Sequence, residues 1–520
     1  MQSRFRPFGY PALARRARWL ATPVVAVPLL LGACDDRPLP LQPANEPAAA
    51  AGAVPSTVRT AGGDLVTGEA EVFAQALAEI GPEGKVLIWI KETGTPRPTA
   101  EFLINLPGSA PETIALPADA PGARRRSDLG PASVRGASMD AVVRALTRAG
   151  VEAPRPMEAL PVIAARLPER VRLAALQVLL RHPNVDYVSA VRARAVEPTG
   201  LPTGLNMEDT RHTVHDVLSA WDITRGSGVK IGVIDSGLAR VAATGNFHED
   251  ALFTSTTFGN YGVVAMGFVD DECGSTPAST GSCIPYDDNG HGSQMVGLVG
   301  ANDNDVGSVG IAPFATTYSM KAVWNTYIRG YCGSYPWDES TYCLEMDDYL
   351  RTIDYAAVNR MHVLLMPFSF QSSSSDEYRS LSTAYHTYGV FLVSGTGNTV
   401  GGAARYPANY DVVMGVGGVD EAGNNVYNTA ARDVSGYYMG KTLKPTCYKT
   451  AYCDAGSPGQ YGSFVGTSVA SSTVAGIVGL VRAAHPTETP AQIWQRITAT
   501  AEGPNRVVKA LAAINWQRPL

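Results

Sequence analysis

Three residues in the C-terminal part of the chain have types and settings that could together cleave an acyl bond. Asp235 closes the apolar run Val229-Lys230-Ile231-Gly232-Val233-Ile234 and is followed by Ser236 and Gly237. His291 stands between two glycines in Asn289-Gly290-His291-Gly292-Ser293, ahead of an apolar, small-residue stretch. Ser468 lies in Gly466-Thr467-Ser468-Val469, at the head of a nearly all-apolar run that continues past Gly476. A serine hydroxyl is a weak nucleophile until a histidine takes its proton, and a carboxylate can fix the tautomer of that histidine and steady its cation. At a helix N-terminus the serine also has backbone N–H groups aimed at any negative charge forming beside it. Each residue alone is ordinary, because parallel strands often end in Asp, a lone histidine is usually structural, and serine often caps a helix.

The elements that must position these residues are legible as well. From 205 to 520, apolar runs (229–235, 316–323, 363–370, 390–398, 411–420) alternate with helix-like stretches (291–300, 345–358, 465–485). Continuous apolar strands separated by helices predict an α/β fold, a parallel sheet with helices on both faces. Residues 69–198 predict a small α+β domain. It has strands at 86–90, 160–167 and 185–194, helices at 139–150 and 169–181, and a hairpin with a Pro/Arg-rich loop within 101–135. Residues 34–68 are rich in Pro and Ala and lack core-forming side chains. They are read as a tether that reaches on the order of 100 Å at ~3.1 Å per residue.

Taken together, the three motifs in the order Asp, His, Ser resemble the subtilisin-like serine proteases over about residues 205–515. Gly310-Ile311-Ala312-Pro313, Ser394-Gly395-Thr396-Gly397-Asn398, Tyr406-Pro407 and Val416-Gly417-Gly418-Val419-Asp420 extend the likeness. The resemblance implies a serine endopeptidase in which Ser468 attacks the peptide carbonyl, His291 shuttles the proton and Asp235 orients His291. Asn398 and the Ser468 N–H then form the oxyanion hole. It implies a cis Tyr406–Pro407 bond, and it makes residues 69–198 a ferredoxin-like propeptide acting as chaperone and intramolecular inhibitor. It puts one wall of the substrate pocket at Ser369, Phe370 and Gln371 and its floor at Arg405. A cation there favours an acidic or small polar residue before the scissile bond, unless Arg405 turns to solvent or to a nearby acid. The family motifs are not matched everywhere: Val469 replaces a Met, Ser472 a Pro, Ser293 a Thr, and two wall glycines are lost. None of these changes removes a catalytic group. The chemistry requires no cofactor. Asn304, in Asn302-Asp303-Asn304-Asp305-Val306-Gly307, falls where relatives hold a structural calcium ion, and a polar surface turn is the equal alternative.

The N-terminus points to export. Five arginines precede the short apolar stretch 19–33, which ends in Leu31-Gly32-Ala33-Cys34. This resembles the signal peptide and lipobox of bacterial lipoproteins, so residues 1–33 would be removed and Cys34 lipidated. Asp35 and Asp36 then favour the periplasmic face of the inner membrane, by likeness to enteric lipoproteins. Six other cysteines fall as close pairs, Cys273 with Cys283, Cys332 with Cys343 and Cys447 with Cys453. Local disulfides are the simplest reading, although sequence alone leaves every connectivity open. Hydrophobic residues at 45% and charged residues at 17% exclude a disordered chain. Without residues 1–33 the chain carries 37 basic and 48 acidic residues, net −11, with no basic run to bind nucleic acid. The expected partners are peptide or protein substrates, the chain's own propeptide, and a membrane through the lipid. A catalytically inactive binding lipoprotein on the same fold is the alternative function.

Overall fold

The structure is a computed structural model. It describes residues 59–60, 63–64, 67–91, 101–104, 112–115, 135–196, 201–203, 210–241, 246–248, 251, 254–256, 259–273, 281, 283–304, 307–325, 342–427, 432–445, 447, 453–454 and 461–517. Cys34 and Cys332 lie outside these residues.

The N-terminal region comprises α1 (Thr67–Ile80), β1 (Lys85–Ile90), β2 (Glu101–Ile104), β3 (Glu112–Ala115), α2 (Arg135–Arg148), β4 (Arg155–Pro156), β5 (Val162–Arg166), α3 (Arg172–Arg181) and β6 (Val185–Ala190). Its sheet has the order β3-β2-β6-β1-β5-β4. All six residues of β1 are buried because both faces of the sheet are covered. Val86, Ile88 and Ile90 pack with Phe73, Leu146 and Leu176 of α1, α2 and α3. Leu87 and Trp89 face the other way, into a core shared with residues from 320 to 413. The helix α1 begins two residues before the expected domain boundary at 69. Its apolar positions Val72, Phe73, Ala76 and Ile80 have helical spacing.

The expected single strand over 185–194 is two strands. The chain leaves the sheet after Ala190 and, as β7 (Ala193–Val196), joins a different partner. The segment Leu201–Thr203 follows as β8.

The C-terminal region carries β9 (Lys230–Asp235), β10 (Gly259–Gly267), α4 (His291–Gly300), β11 (Thr316–Lys321), β12 (Tyr342–Glu345), α5 (Met346–Val358), β13 (Val363–Met366), α6 (Ser375–His386), β14 (Phe391–Gly395), β15 (Val413–Val419), β16 (Val434–Tyr437), β17 (Met439–Leu443), β18 (Tyr461–Val465) and α7 (Thr467–Ala484). Seven strands run parallel in the order β10-β11-β9-β13-β14-β15-β16. This is the α/β sheet that the alternating pattern predicts. The apolar helix α7 is long enough to cross a bilayer, yet 89% of it is buried in the protein, so it is the core helix of this sheet. The order of strands reverses around β9, and the crevice at the carboxyl ends of the strands at such a switch point is where an open α/β sheet holds its ligand.

Cys273 is bonded to Cys283 and Cys447 to Cys453. Cys343 is also disulfide-bonded.

Candidate active site

Asp235 is the last residue of β9, His291 the first of α4 and Ser468 the second of α7. Each sits where an element begins or ends, at the carboxyl edge of the sheet. Two glycines set the approach. A Cβ on Gly292 would lie 2.4 Å from the Gly237 carbonyl oxygen, so only glycine lets the start of α4 rest on the loop after Asp235. Gly466, with φ +137°, turns the chain from β18 into α7.

His291 Nδ1 lies 2.8 Å from Asp235 Oδ2. The other carboxylate oxygen of Asp235 accepts from the Ser236 N–H at 2.7 Å. Behind this pair is a second carboxylate, Asp287, fully buried. Its Oδ1 accepts from Ser236 Oγ at 2.8 Å and from the Asn289 and Gly290 N–H groups at 3.0 and 2.8 Å. Its Oδ2 accepts from the Ser293 N–H at 2.9 Å and the Ser293 hydroxyl at 2.5 Å. Ser236 Oγ also accepts from the Gly292 N–H at 2.9 Å. The loop before α4, the loop after β9 and the helix start are thus tied to one anion. Burial works against protonation of His291, but the Asp235 charge and hydrogen bond, helped by Asp287, outweigh it and hold the imidazole above the ordinary histidine value.

The Ser468 hydroxyl donates to the Pro367 carbonyl at 2.6 Å, and His291 Nε2 has no hydrogen-bond partner among the described residues. No hydrogen bond joins the two groups of the expected nucleophile–base pair. Catalytic contacts commonly tighten only when substrate arrives. Asn398 Oδ1 accepts from the Thr467 N–H at 2.9 Å and from the Thr467 hydroxyl at 3.1 Å. With Oδ1 engaged as acceptor, the amide presents Nδ2 as the donor end.

The pocket residues separate. Phe370 pairs with Tyr406 as an antiparallel bridge, and the Tyr406–Pro407 bond is cis. Ser369 is buried and Gln371 exposed. Phe370 packs beside Phe368 and Tyr349 and is covered by the Arg194 guanidinium, whose Cζ stands 3.7 Å from the ring centre. Arg405 lies half-buried, its aliphatic stem over Gly397 beside Asn398 and its Nη2 3.5 Å from Thr399 Oγ1. Asn304 is exposed, and the neighbouring Asp303 carboxylate is taken by Arg225. Among the described residues that loop brings no cluster of carboxylates together. Asp287 and Thr467 were not singled out in the sequence. A carboxylate shortly before a helix start is the signal that points to Asp287.

The chain's own strands border this site. β7 pairs antiparallel with β12, Arg194 opposite Leu344 and Val196 opposite Tyr342. β8 pairs antiparallel with β18, Leu201 opposite Val465. Val465 stands three residues before Ser468, so β8 lies against the strand that leads into the serine.

Docking of the N-terminal sheet is polar at its centre. Asp376, fully buried near the start of α6, accepts from Trp89 Nε1 at 2.7 Å, Ser189 Oγ at 2.9 Å and Tyr187 Oη at 3.2 Å. Asp354, on α5, accepts from the N–H groups of Glu158, Ala159 and Leu160 at 3.0, 2.6 and 2.9 Å. Arg379 pairs with Asp186 at 3.0 Å, and Lys85 with Glu345.

The model of the subtilase family, Peptidase_S8, matches residues 226–513. A thermostable alkaline protease of Halalkalibacterium halodurans is 27% identical over 345 residues, covering 66% of this chain and 78% of that protein. Subtilisin E of Bacillus subtilis is 26% identical over 337 residues, covering 63% and 73%. The crystal structure of fervidolysin from Fervidobacterium pennivorans, described as a keratinolytic enzyme related to subtilisin, superposes with a TM-score of 0.54. At 16% identity that likeness speaks for the fold alone, and the superposition covers 84% of this chain and 61% of that one. The family match spans more than half of the chain and contains Asp235, His291, Asn398 and Ser468. The protein belongs to the subtilase family of serine endopeptidases.

Proposed function

We propose that the protein is made as a lipid-anchored zymogen, cuts itself once, and then hydrolyses peptide bonds in protein or peptide substrates. The observation that carries this reading is the pair of strands β7 and β8, which add antiparallel to β12 and to β18, the strand that leads into Ser468, as an extended substrate would add. The self-cleaved bond then lies between Val196 and Leu201, in Glu197-Pro198-Thr199-Gly200 or at its ends. The region before it serves as chaperone and inhibitor. The likeness to the alkaline protease supports this, since it runs over 345 residues and cannot be contained in 226–513.

Ser468 Oγ turns from the Pro367 carbonyl to His291 Nε2, gives up its proton and attacks the carbonyl carbon. His291 passes the proton to the leaving amine, and the acyl-enzyme is released by water along the same route. Asp235 keeps the Nδ1–H tautomer and stabilises the imidazolium. The Asn398 Nδ2 and the Ser468 N–H stabilise the oxyanion, a donor of this kind contributing about 2.7–4 kcal/mol. Arg405, beside Asn398, favours an acidic or small polar side chain before the scissile bond. No cofactor takes part, and calcium is given no step.

Cys34 carries the lipid, so the zymogen sits on the envelope, at the periplasmic face of the inner membrane. Cys34 precedes the self-cleaved bond, and the cut therefore parts the peptidase from its anchor. In a protease-free host, Ser468→Ala should accumulate as one unprocessed, membrane-bound chain. The wild type should yield a soluble peptidase whose N-terminus lies between residues 197 and 201. Processing of Ser468→Ala like the wild type would refute self-cleavage, and a membrane-bound Cys34→Ala would refute the anchor. A purified peptidase whose Ser468 takes no phosphonate label would instead be the inactive binding protein.

A further inference from the structure

We propose that the cleft, on the side N-terminal to the scissile bond, contains a subsite for a substrate arginine, built by Glu377, the Phe370 ring and the Ser372 carbonyl. The chain's own Arg194 fills it. Arg194 Nη1 lies 3.1 Å from Glu377 Oε2, its Nη2 donates to the Ser372 carbonyl oxygen, and its Cζ stands 3.7 Å from the centre of the Phe370 ring. The Glu377 side chain is wholly buried, and Tyr410 Oη lies 3.0 Å from the same Oε2. The Tyr410 oxygen also accepts from the Ser374 N–H at 2.8 Å, which ties the carboxylate to the start of α6.

The bland alternative is that Arg194 only fastens one domain to the other. Its position argues against this. The side chains that meet Asp376 and Arg379, namely Trp89, Asp186, Tyr187 and Ser189, belong to β1 and β6, whereas Arg194 belongs to β7. That strand is registered residue for residue on β12, and β8, which starts five residues after its end, pairs with the strand that leads into Ser468. A substrate that adds to β12 in the same register places its corresponding side chain over Phe370 and against Glu377. The chemistry selects the guanidinium. A planar cation stacks on a ring face while its edge donates both to a carboxylate and to a carbonyl, which a compact ammonium does less well. A buried carboxylate left without its cation is costly, so the subsite also discriminates against residues that cannot pair with it.

This inference rests on the endopeptidase reading above. The test uses the processed enzyme and a set of peptides that differ only at the residue aligned with Arg194, bearing Arg, Lys, Ala or Glu. The alignment is counted from the self-cleaved bond once that is sequenced. The wild type should cleave the Arg peptide with a kcat/KM about 10- to 100-fold above the Ala peptide, with Lys between them. In Glu377→Gln the Arg-to-Ala ratio should fall close to one, and in Glu377→Lys the Glu peptide should become the best of the four. A role confined to folding would lower all four rates together and leave the ratio unchanged. Equal wild-type rates for Arg and Ala, or a ratio that survives Glu377→Gln, would overturn the subsite while leaving the peptidase reading intact. Absence of any cleavage, with no phosphonate label on Ser468, would overturn both.

Discussion

Two buried carboxylates of this protein, Asp287 and Asp376, are both satisfied by several donors, but the donors come from different places. Those of Asp287 lie within six residues or on the neighbouring loop after β9, all inside the peptidase region. Those of Asp376 are Trp89, Tyr187 and Ser189, all from the N-terminal sheet and nearly two hundred or more residues away. The first arrangement persists whatever happens to the N-terminal region. The second is complete only while that region is docked. On the proposed self-cleavage, a permanent support and a releasable contact are therefore built from the same chemistry, and the origin of the donors decides which is which.

Removing a charge from the releasable contact should have the largest effect. Asp376→Ala leaves the Trp89, Tyr187 and Ser189 donors unpaired, and docking of the cleaved N-terminal region should weaken by about 2–5 kcal/mol, measured as its inhibition constant against the mature enzyme. Asp287→Ala should lower stability by about 1–3 kcal/mol in denaturant unfolding, through the stranded Ser236 and Ser293 groups. It should also move the acidic limb of the kcat/KM profile to lower pH, because a negative charge that favours the His291 cation is gone. The two supports share no partner, so the double variant should be additive within about 0.5 kcal/mol. Strong coupling would break the contrast drawn here.

pH should act on the releasable contact in one direction. Burial pushes the carboxyls of Asp354 and Asp376 up, against the lowering by their donors. A carboxyl raised in the docked state takes up a proton on docking, so docking is favoured below the ordinary carboxyl range and weakens as pH rises through the raised values. Lys85 is opposed by burial, but Asp347, Glu345 and Asp348 hold it above the ordinary lysine value, so it adds no pH dependence in that window. Dissociation of the cleaved region, followed by fluorescence of Trp89, should accelerate between mildly acidic and neutral pH. Slower release on raising the pH would contradict this sign. The smallest effect expected is from Thr467→Val, which removes one of two donors to Asn398 Oδ1 and should reduce kcat by about 3- to 10-fold with little change in KM.

The parts of this architecture that were legible in the sequence are those fixed by local pattern. The continuous apolar runs ending at Asp235 and Gly395 are central parallel strands, and the small-residue helix starts at His291 and Ser468 are where the pattern puts them. The uninterrupted apolar run of β1 marked a strand, but not that its two faces serve two different cores. The helix α1 has a readable apolar stripe, which the adjoining Pro/Ala-rich stretch masked. The split of 185–194 into β6 and β7 could not be read, because each half obeys the same period and only a distant edge, β12, pulls the second half away. The motif points to Phe370 as a wall, but not to the guanidinium of Arg194 that lies over its ring from far away in sequence. The donors to Asp354 and Asp376 were invisible for the same reason.

On the proposed self-cleavage, the strands β7 and β8 also govern how the protein responds to its own concentration. Because β7 and β8 belong to the same chain as the serine, the first cut has no second reactant to wait for, and its rate should be the same in a dilute and a crowded sample. Once that bond is broken the N-terminal region is a separate molecule, and the high effective concentration that the chain connection gave it is gone. Dilution, which has no hold on the cut, is then what sets how quickly the cleft opens to other chains.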